Sequence, residues 1–242
     1  MRLTQFAHSP FADKVRRGMR YKGLPFEIHE IPLEQVATVA RQSPTGKLPT
    51  LELDDGRLLV DSTTILRTLE SLHPEPALQP EQPALRALCH ILEDWADESL
   101  YFYQMCLRFN FPHNARRHVP GLAQGQRSLL GRLAGHVLAP NALKVQLHQQ
   151  GLGRKPSALI IEDLRHHYTA LNTMLTEQPF LIGEHLTLAD LAVFAQIDML
   201  GRTDEGERLL EDHLPVAAWL KRVDDLTAEP LPAPTTSSSP SN

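Results

Sequence analysis

Cysteine is scarce in this 242-residue chain, which has only Cys89 and Cys106. The two do not form a CxxC pair and show no metal-binding spacing, which argues against both a disulfide framework and a zinc site. We expect each to be buried as a small apolar side chain. The 12 histidines are scattered without a third ligand nearby in sequence, so we expect no metal.

Long apolar runs are also missing. No stretch approaches the roughly 18 residues that a membrane-spanning helix needs, and the N-terminal MRLTQFAHSPF lacks the apolar centre of a secretory signal. The formal net charge of −5 gives the whole chain no attraction to nucleic acid. The sequence therefore predicts a cytoplasmic protein that binds neither nucleic acid nor membrane.

The first 75 residues alternate short strand-like and helix-like segments. FEIHEI, at 26–31, has the alternation of a half-buried strand, and Asp54-Asp55-Gly56 between two apolar segments predicts a hairpin. Gly23 is a typical helix end. Strands are expected at 3–6, 26–31, 48–53 and 57–60, and helices at 11–22, 33–41 and 62–72.

The rest of the chain has the periodicity of long helices. Four prolines in HPEPALQPEQP mark a linker, assigned to 76–83, ahead of an all-α domain over 84–226. Thr187 and Asp190 precede an apolar run in the arrangement of a capping box. The Pro/Ser/Thr-rich end, 227–242, is predicted to be disordered. Helices are expected at 84–109, 124–150, 157–177, within LTLADLAVFAQIDML, and at 215–225.

Ser9 stands between the first strand and Pro10, at the start of a helix. Serine before a proline is a typical N-cap, and capping alone would account for it. Residues 9–12 are Ser-Pro-Phe-Ala, so the CPxC pair of dithiol enzymes is missing. No GxSxG elbow is present, and no motif pairs Ser9 with a His and an Asp, which argues against acyl transfer. His8 is interpreted as a loop residue.

Two further positions suggest a binding site. Leu48-Pro49 opens a predicted strand, where proline is tolerated only at the first residue or on an edge, so we expect a cis bond. The backbone of Leu48 would then be open to an extended peptide. Asp61-Ser62 ends the last strand and opens a helix that Ser62 can cap, with an anion site at its free amides. Simple capping would also explain this pair.

SPTGKLPTLELDDGRLLVDSTTIL, at 43–66, resembles the NPxGKVPxL…DG…ES..I segment of the glutathione S-transferase superfamily, and LTLADLAVF resembles the capping motif of its helical domain. The resemblance extends over about residues 2–225. Residues 148–184 are also similar to a bacterial branch related to metaxin-like and failed-axon-connection proteins. The resemblance implies a thioredoxin-like N-terminal domain, 1–75, followed by the all-helical C-terminal domain.

The resemblance implies roles for individual residues. Asp61 and Ser62 would hold the γ-glutamyl end of glutathione, and the backbone of Leu48, beside Pro49, would pair with its cysteinyl residue. Lys47 would approach the glycine carboxylate, although it could equally be a solvated loop lysine. The family more often has Glu at position 61, so Asp61 alters the reach of the side chain but not its charge.

Ser9 falls where the resembling family has its catalytic serine or cysteine. A hydroxyl aimed at the sulfur of glutathione, with the positive end of a helix, would favour the thiolate. The implied function is conjugation of glutathione to a small electrophile by a homodimer. Two alternatives stay open: a non-catalytic protein-docking module of the same fold, and a glutathione-dependent isomerase or dehalogenase.

No Asp or Glu occurs between Arg108 and Pro156. This segment is either a solvated basic face, packing against the acidic surface of a second subunit, or a basic rim that attracts anionic substrates or an acidic protein. Its eight basic residues are Arg108, Arg116, Arg117, Arg127, Arg132, Lys144, Arg154 and Lys155. Aromatic residues beside it are either core or the lining of a second-substrate pocket. They are Tyr101, Phe102, Tyr103, Phe109 and Phe111.

Overall fold

The computed structural model describes residues 1–123 and 128–228. Its N-terminal part is a four-stranded sheet in the order β2-β1-β3-β4, in which β2 is parallel to β1 while β3 and β4 run antiparallel to their neighbours. The strands are β1 (Arg2–Gln5), β2 (Glu27–Glu30), β3 (Thr50–Glu52) and β4 (Leu58–Val60). The helices are α1 (Pro10–Tyr21), α2 (Leu33–Gln42) and α3 (Ser62–Leu72). This is the predicted thioredoxin-like order.

Each of these elements lies within two residues of its predicted bounds. The expectation that 26–31 is half buried holds only at its two ends, Phe26 and Ile31, because all four residues of β2 are exposed, including Ile28 at 46%. β2 is the outer strand of the sheet and has a neighbour, β1, on one side only. The hairpin is confirmed: Gly56 has a φ of 84°, and its N–H donates to the carbonyl of Leu53 at 3.0 Å.

The C-terminal part is all helical, as predicted. The single helix predicted at 84–109 is continuous but contains a π-helical turn at Ala96–Leu100. The helix predicted at 124–150 begins in residues that lie outside the described ranges, and α6 and α11 were not predicted. The helices are α4 (Pro83–Trp95), α5 (Tyr101–Asn110), α6 (Pro112–Ala123), α7 (Leu129–Leu133), α8 (Ala139–Gln150), α9 (Ser157–Glu177), α10 (Leu188–Gly201), α11 (Asp204–Asp212) and α12 (Leu214–Thr227).

A second π-helical turn, Ala134–Leu138, joins α7 to α8, and a short 3-10 turn, Leu152–Arg154, follows α8. Thr227 is the last residue of α12, and residues 229–242 of the predicted tail lie outside the described ranges. Cys89 and Cys106 are both free and buried, as predicted. Between residues 1–123 and 128–228, no helix combines the length and the apolar character needed to cross a membrane.

The proline-rich segment between the two parts is hydrogen-bonded to both of them. Leu78 is fully buried, and its N–H donates to Glu70 Oε1 at 2.9 Å. Its carbonyl accepts from the N–H of Leu188, at the start of α10, at 2.9 Å. Lys22, at the end of α1, donates to the carbonyl of Pro76 at 2.8 Å. The segment therefore fixes the sheet domain against the helical domain.

Asp190 is a fully buried carboxylate at the start of α10. The N–H and the hydroxyl of Thr187 donate to it at 2.9 and 2.7 Å, so the predicted capping box is confirmed. The N–H of Leu181 and the indole N–H of Trp219 also donate to it, both at 2.9 Å. One side chain thus joins the loop before α10 to α12.

We expect Asp190→Asn to lower the free energy of unfolding by about 2–4 kcal/mol, because the new amide turns its own N–H groups toward buried donors. The control is Asp225→Asn, whose carboxylate pairs with Lys221 at 2.6 Å on an exposed helix face. That change should cost less than about 1 kcal/mol. Urea unfolding measures both, and equal losses would contradict the role given to Asp190.

Candidate active site

The strand register brings the predicted site segments to one edge of the sheet. Thr4 near the end of β1 pairs with Thr50 at the start of β3, and Thr50 pairs with Val60 at the end of β4. Because neighbouring strands are in contact along the ladder, whatever follows β1, precedes β3 or follows β4 meets at this edge. Those segments are the Ser9 loop, Leu48-Pro49 and Asp61-Ser62.

Ser9 is the N-cap of α1, with an extended backbone (φ −82°, ψ 122°) and a half-buried side chain. Its Oγ accepts a long hydrogen bond of 3.4 Å from the N–H of Ala12. A hydroxyl can accept and donate at the same time, and in the described ranges the Ser9 hydroxyl donates to no acceptor. The capping role is therefore real but weak, and the proton of the hydroxyl is available to a ligand.

The loop that carries Ser9 is held by its neighbours. Glu30, at the end of β2, accepts a 2.6 Å hydrogen bond from the N–H of Ala7, and the N–H of Ser9 donates to the carbonyl of Phe6 at 2.9 Å. His8 lies in this loop, as predicted, with its ring 5.3 Å from that of Phe6. Burial, and then the charge of Arg108, lower the pKa of His8. His8 is therefore neutral at neutral pH.

The Leu48–Pro49 peptide bond is cis, which confirms the prediction. Pro49 is buried, and β3 begins one residue later at Thr50. The N–H and C=O of Leu48 thus stand outside the ladder of the sheet. Lys47 is exposed in the preceding loop and has no polar partner within residues 1–123 or 128–228.

Asp61, rather than Ser62, caps α3. Its Oδ1 accepts from the N–H groups of Thr63 and Thr64, both at 3.1 Å. The predicted cap at Ser62 is wrong because the helix begins at Ser62 itself, so the residue before it faces the free N–H groups. Asp61 has a positive φ of 72°, which Asp tolerates better than most residues.

Two polar groups at the start of α3 are not used by the cap. Both capping bonds end on Oδ1 of Asp61, so its Oδ2 is free of them. Ser62 is buried at 5% exposure, and its hydroxyl makes no hydrogen bond with any residue in the described part of the chain. A carboxylate oxygen, a hydroxyl and the helix N-terminus therefore stand side by side, suited to a ligand that carries both an ammonium and a carboxylate.

A buried ionic cluster beneath the site was not predicted. Lys14 of α1 is 1% exposed, and its Nζ lies 2.7 Å from both Glu93 Oε1 and Asp97 Oδ2. It also donates to Thr63 Oγ1 at 3.2 Å. Glu93 and Asp97 are one helical turn apart, which is a sequence signal, but nothing in the sequence pairs them with a lysine 79 and 83 residues away.

Lys14 and Asp97 of this cluster both have raised pKa values. Burial lowers the pKa of Lys14, but Asp97 and Glu93 more than offset it, so the net shift is upward. Burial raises the pKa of Asp97, and the nearby charges of Glu93 and Asp61 add to the rise. Its Oδ1 is buried and has no hydrogen-bond partner among the described residues. Asp97 is therefore a further acceptor near the start of α3.

No group of three or more His, Cys, Asp or Glu side chains is arranged to hold a metal ion within the ranges 1–123 and 128–228. The polar groups at the site edge are hydroxyls, backbone groups and carboxylates.

Residues 3–77 match the family model described as "Glutathione S-transferase, N-terminal domain", and residues 146–222 match "Glutathione S-transferase, C-terminal domain". Together with the thioredoxin-like sheet, the helical second domain and the site at the end of β1, these matches define the class. The chain belongs to the glutathione S-transferase superfamily, whose members use glutathione as co-substrate.

Individual relatives are distant. The isoprene-epoxide–glutathione S-transferase of Rhodococcus sp. (strain AD45) is 25% identical over 193 residues, which is 78% of this chain and 79% of the relative. The β-etherase LigF of Sphingobium sp. strain SYK-6 has a similar structure, with a TM-score of 0.64 at 22% identity over 95% of both chains. FzlA from C. crescentus has a TM-score of 0.63 at 20% identity, over 96% of this chain and 93% of that protein.

We expect Lys14→Met to lower the free energy of unfolding by about 3–5 kcal/mol near neutral pH, because buried Asp97 loses its cation. Buried Glu93 keeps only Arg67, at 3.3 Å. Burial already raises the folded-state pKa of Asp97, and removing Lys14 raises it further above the unfolded value. The lost stability should therefore return in part as the pH falls through that raised pKa. Urea unfolding at about pH 7.5 and about pH 5.5 measures this.

The control for that prediction is Lys221→Met, which removes an exposed lysine paired with Asp225 at 2.6 Å. Lys221→Met should lower the free energy of unfolding only slightly, and that loss should not diminish at the lower pH. A Lys14→Met protein whose loss is the same at both pH values would contradict the assignment.

Proposed function

We propose that this protein conjugates the sulfur of glutathione to a small electrophile, with Ser9 stabilising the thiolate. The observation that carries the proposal is the Ser9 hydroxyl at the N-terminus of α1, half buried and with its proton not committed to any described acceptor. The site groups opposite it suit a γ-linked tripeptide. The same fold could serve a non-catalytic docking protein, and measured conjugation separates the two.

The residues present fit glutathione at each of its ends. The free oxygen of Asp61 can accept from the α-ammonium of the γ-glutamyl residue, while the Ser62 hydroxyl and the α3 N–H groups can hold its α-carboxylate. The backbone of Leu48 can pair with the cysteinyl residue as an added strand. Lys47 is free to swing toward the glycine carboxylate.

Ser9 acts on the protonation of the sulfur. A thiol with a pKa of about 8.5 is mostly protonated at neutral pH, and the thiolate is the nucleophile. A hydrogen bond from the Ser9 hydroxyl and the positive end of α1 both favour the charged form. Each unit of pKa is worth about 1.4 kcal/mol. The proton released from the sulfur passes to solvent.

In the transfer step, the main role of the protein is to align the sulfur with the electrophilic carbon. The sulfur forms a bond to the electrophilic carbon as that carbon's bond to its leaving group breaks, and the leaving group keeps the electron pair. With an epoxide, the ring oxygen takes the pair and a proton from water. The isoprene-epoxide relative supports an epoxide as the first substrate to try, alongside a generic aryl halide.

We also propose that the protein is a homodimer. Leu85, Leu88 and Ile91 of α4 are exposed by 36%, 39% and 63%. They fall on one face of the helix, since residues three apart are neighbours on its surface. Burying this face against a second copy would remove the apolar area from water. The cytoplasmic location inferred from the sequence stays a prediction.

We expect Ser9→Ala to lower the rate of glutathione conjugation about 10- to 100-fold near neutral pH, with glutathione still bound. The defect should shrink as the pH rises and free glutathione ionises by itself. Steady-state rates across pH, together with titration of the bound thiol by its ultraviolet absorbance, measure both effects. An unchanged thiol titration with an unchanged rate would remove the role of Ser9.

Ser128→Ala is the matched control, because Ser128 also caps a helix and accepts from the N–H of Gly131 at 2.8 Å. Loss of an N-cap costs about 0.5–2 kcal/mol of stability at either site. Only the Ser9 variant should alter the thiol titration. Equal effects of the two variants on conjugation would assign Ser9 to capping alone.

We expect Asp61→Asn to weaken glutathione binding about 10- to 30-fold, because the variant keeps the cap but loses the charge facing the ammonium. Asn also tolerates the positive φ at this position. Titration calorimetry with glutathione, and with its analogue lacking the α-amino group, forms the test. The analogue should bind both proteins equally, and an equal loss for both ligands would contradict the contact.

A further inference from the structure

Arg108 is a buried cation without a counter-ion. It lies on α5, is 7% exposed, and forms no ion pair with any residue in the ranges 1–123 and 128–228. Its only side-chain hydrogen bond in those ranges runs from Nη1 to the neutral Oε1 of Gln104, at 3.0 Å. Burying a charge costs free energy unless the charge is paired. An unpaired arginine at this position therefore needs a physical reason.

One edge of the Arg108 guanidinium has no hydrogen-bond partner among the described residues. The group stacks on the ring of Phe109, with Cζ 4.8 Å from the ring centroid, and Nη1 is taken by Gln104. The Nε atom is buried without a hydrogen-bond partner, and Nη2 makes no hydrogen bond with the described residues. The Nε and Nη2 groups of arginine together donate two parallel hydrogen bonds to a carboxylate.

Arg108 lies toward the Ser9 loop. Tyr101 precedes it by seven residues, which is about two turns of α5, so the two share one face of the helix. The ring of Tyr101 packs against Phe11 at 4.9 Å, two residues after Ser9. The positive charge of Arg108 is also the second cause, after burial, of the lowered pKa of His8. The face of α5 that carries Tyr101 and Arg108 therefore lies toward the helix that Ser9 caps.

The surrounding carboxylates are already committed to other partners. Asp198, whose charge reaches Arg108, is paired with Arg202 at 2.6 Å. Glu30, whose charge reaches His8, accepts from the N–H of Ala7 at 2.6 Å. Burial, and then the charge of Arg202, lower the pKa of Arg108 to about 10, so the group is still a cation at neutral pH. An anion supplied by a ligand would complete its environment.

We propose that the electrophilic substrate carries a carboxylate, which Arg108 binds through Nε and Nη2 while the reactive carbon lies toward Ser9. This inference rests on the proposed conjugation, since it names the substrate class of the same site. Tyr101 and Phe11 supply apolar contact for the body of the substrate between the two ends. The bonds made and broken at sulfur and carbon are those of the proposed transfer.

The test compares two epoxides of nearly equal size: styrene oxide with a para carboxylate, and styrene oxide with a para carboxamide. For Arg108→Gln we expect kcat/KM to fall about 10- to 100-fold with the carboxylate and less than about 3-fold with the carboxamide. Arg108→Lys should fall in between, because it keeps the charge but loses the two-bond geometry. Arg116→Gln, an exposed arginine of the same acid-free segment, should change neither probe.

Equal losses for both probes with Arg108→Gln, or no loss with the carboxylate, would overturn the inference. If the wild-type protein conjugates neither probe, the proposed function fails and Arg108 is tested separately by binding. The unreactive diol of the carboxylated probe is then titrated by calorimetry in the presence of glutathione. We expect about 10-fold weaker binding by Arg108→Gln or, should that variant not fold, by Arg108→Met. Equal binding by wild type and variant would overturn it.

Discussion

The buried pairing of Lys14 with Glu93 and Asp97 is the interaction on which the site depends. It places one cation of α1 between two carboxylates of the helical domain, at 2.7 Å from each, under the first turn of α3. α1 carries Ser9 at its start and α3 carries Asp61 and Ser62 at its start, so this pairing fixes the two helix ends relative to each other. Breaking this pairing is costly, because loss of Lys14 would leave Asp97 buried without a cation.

The two halves of the candidate cleft differ in how their polar groups are satisfied. On the sheet side, the ligand groups are oxygens and amides left over after capping, as at Asp61 and Ser62. On the helical side, Arg108 is a full charge with one neutral partner. The first pattern suits a zwitterionic peptide end, and the second suits a single anion. On the two proposals made above, co-substrate recognition falls to the sheet domain and substrate selection falls to the helical domain.

The sequence indicated most of the fold because its local signals agree with the tertiary structure. Gly23, Gly56 and the Thr187–Asp190 capping box each mark an element boundary through backbone geometry that only a few residue types allow. The cis bond before Pro49 was also inferred from position alone. The burial of β2 was misjudged because alternation shows the period of a strand but not whether a second layer covers it.

The candidate site was predictable where its residues follow from the order of the strands, and not where a single side chain depends on tertiary packing. Ser9, Leu48 and Asp61 stand at strand ends and could be placed together from the order of elements. The sequence could not show that Arg108 is buried without an ion-pair partner. Eight basic residues are scattered over 108–156, and nothing in the sequence tells which of them is buried. The cap at Asp61 was missed because a one-residue change in the helix start decides which side chain faces the amides.

The exposed outer strand β2 has a consequence for the behaviour of the protein in concentrated solution. One side of this strand pairs with β1, and the other presents unpaired backbone groups that could join a second sheet. Glu27 and Glu30 stand at its two ends. If two copies met edge to edge at β2, these carboxylates would come close together and their negative charges would repel each other. The charges therefore oppose edge-to-edge pairing at β2, which is one of the two edges of the sheet, the other being β4.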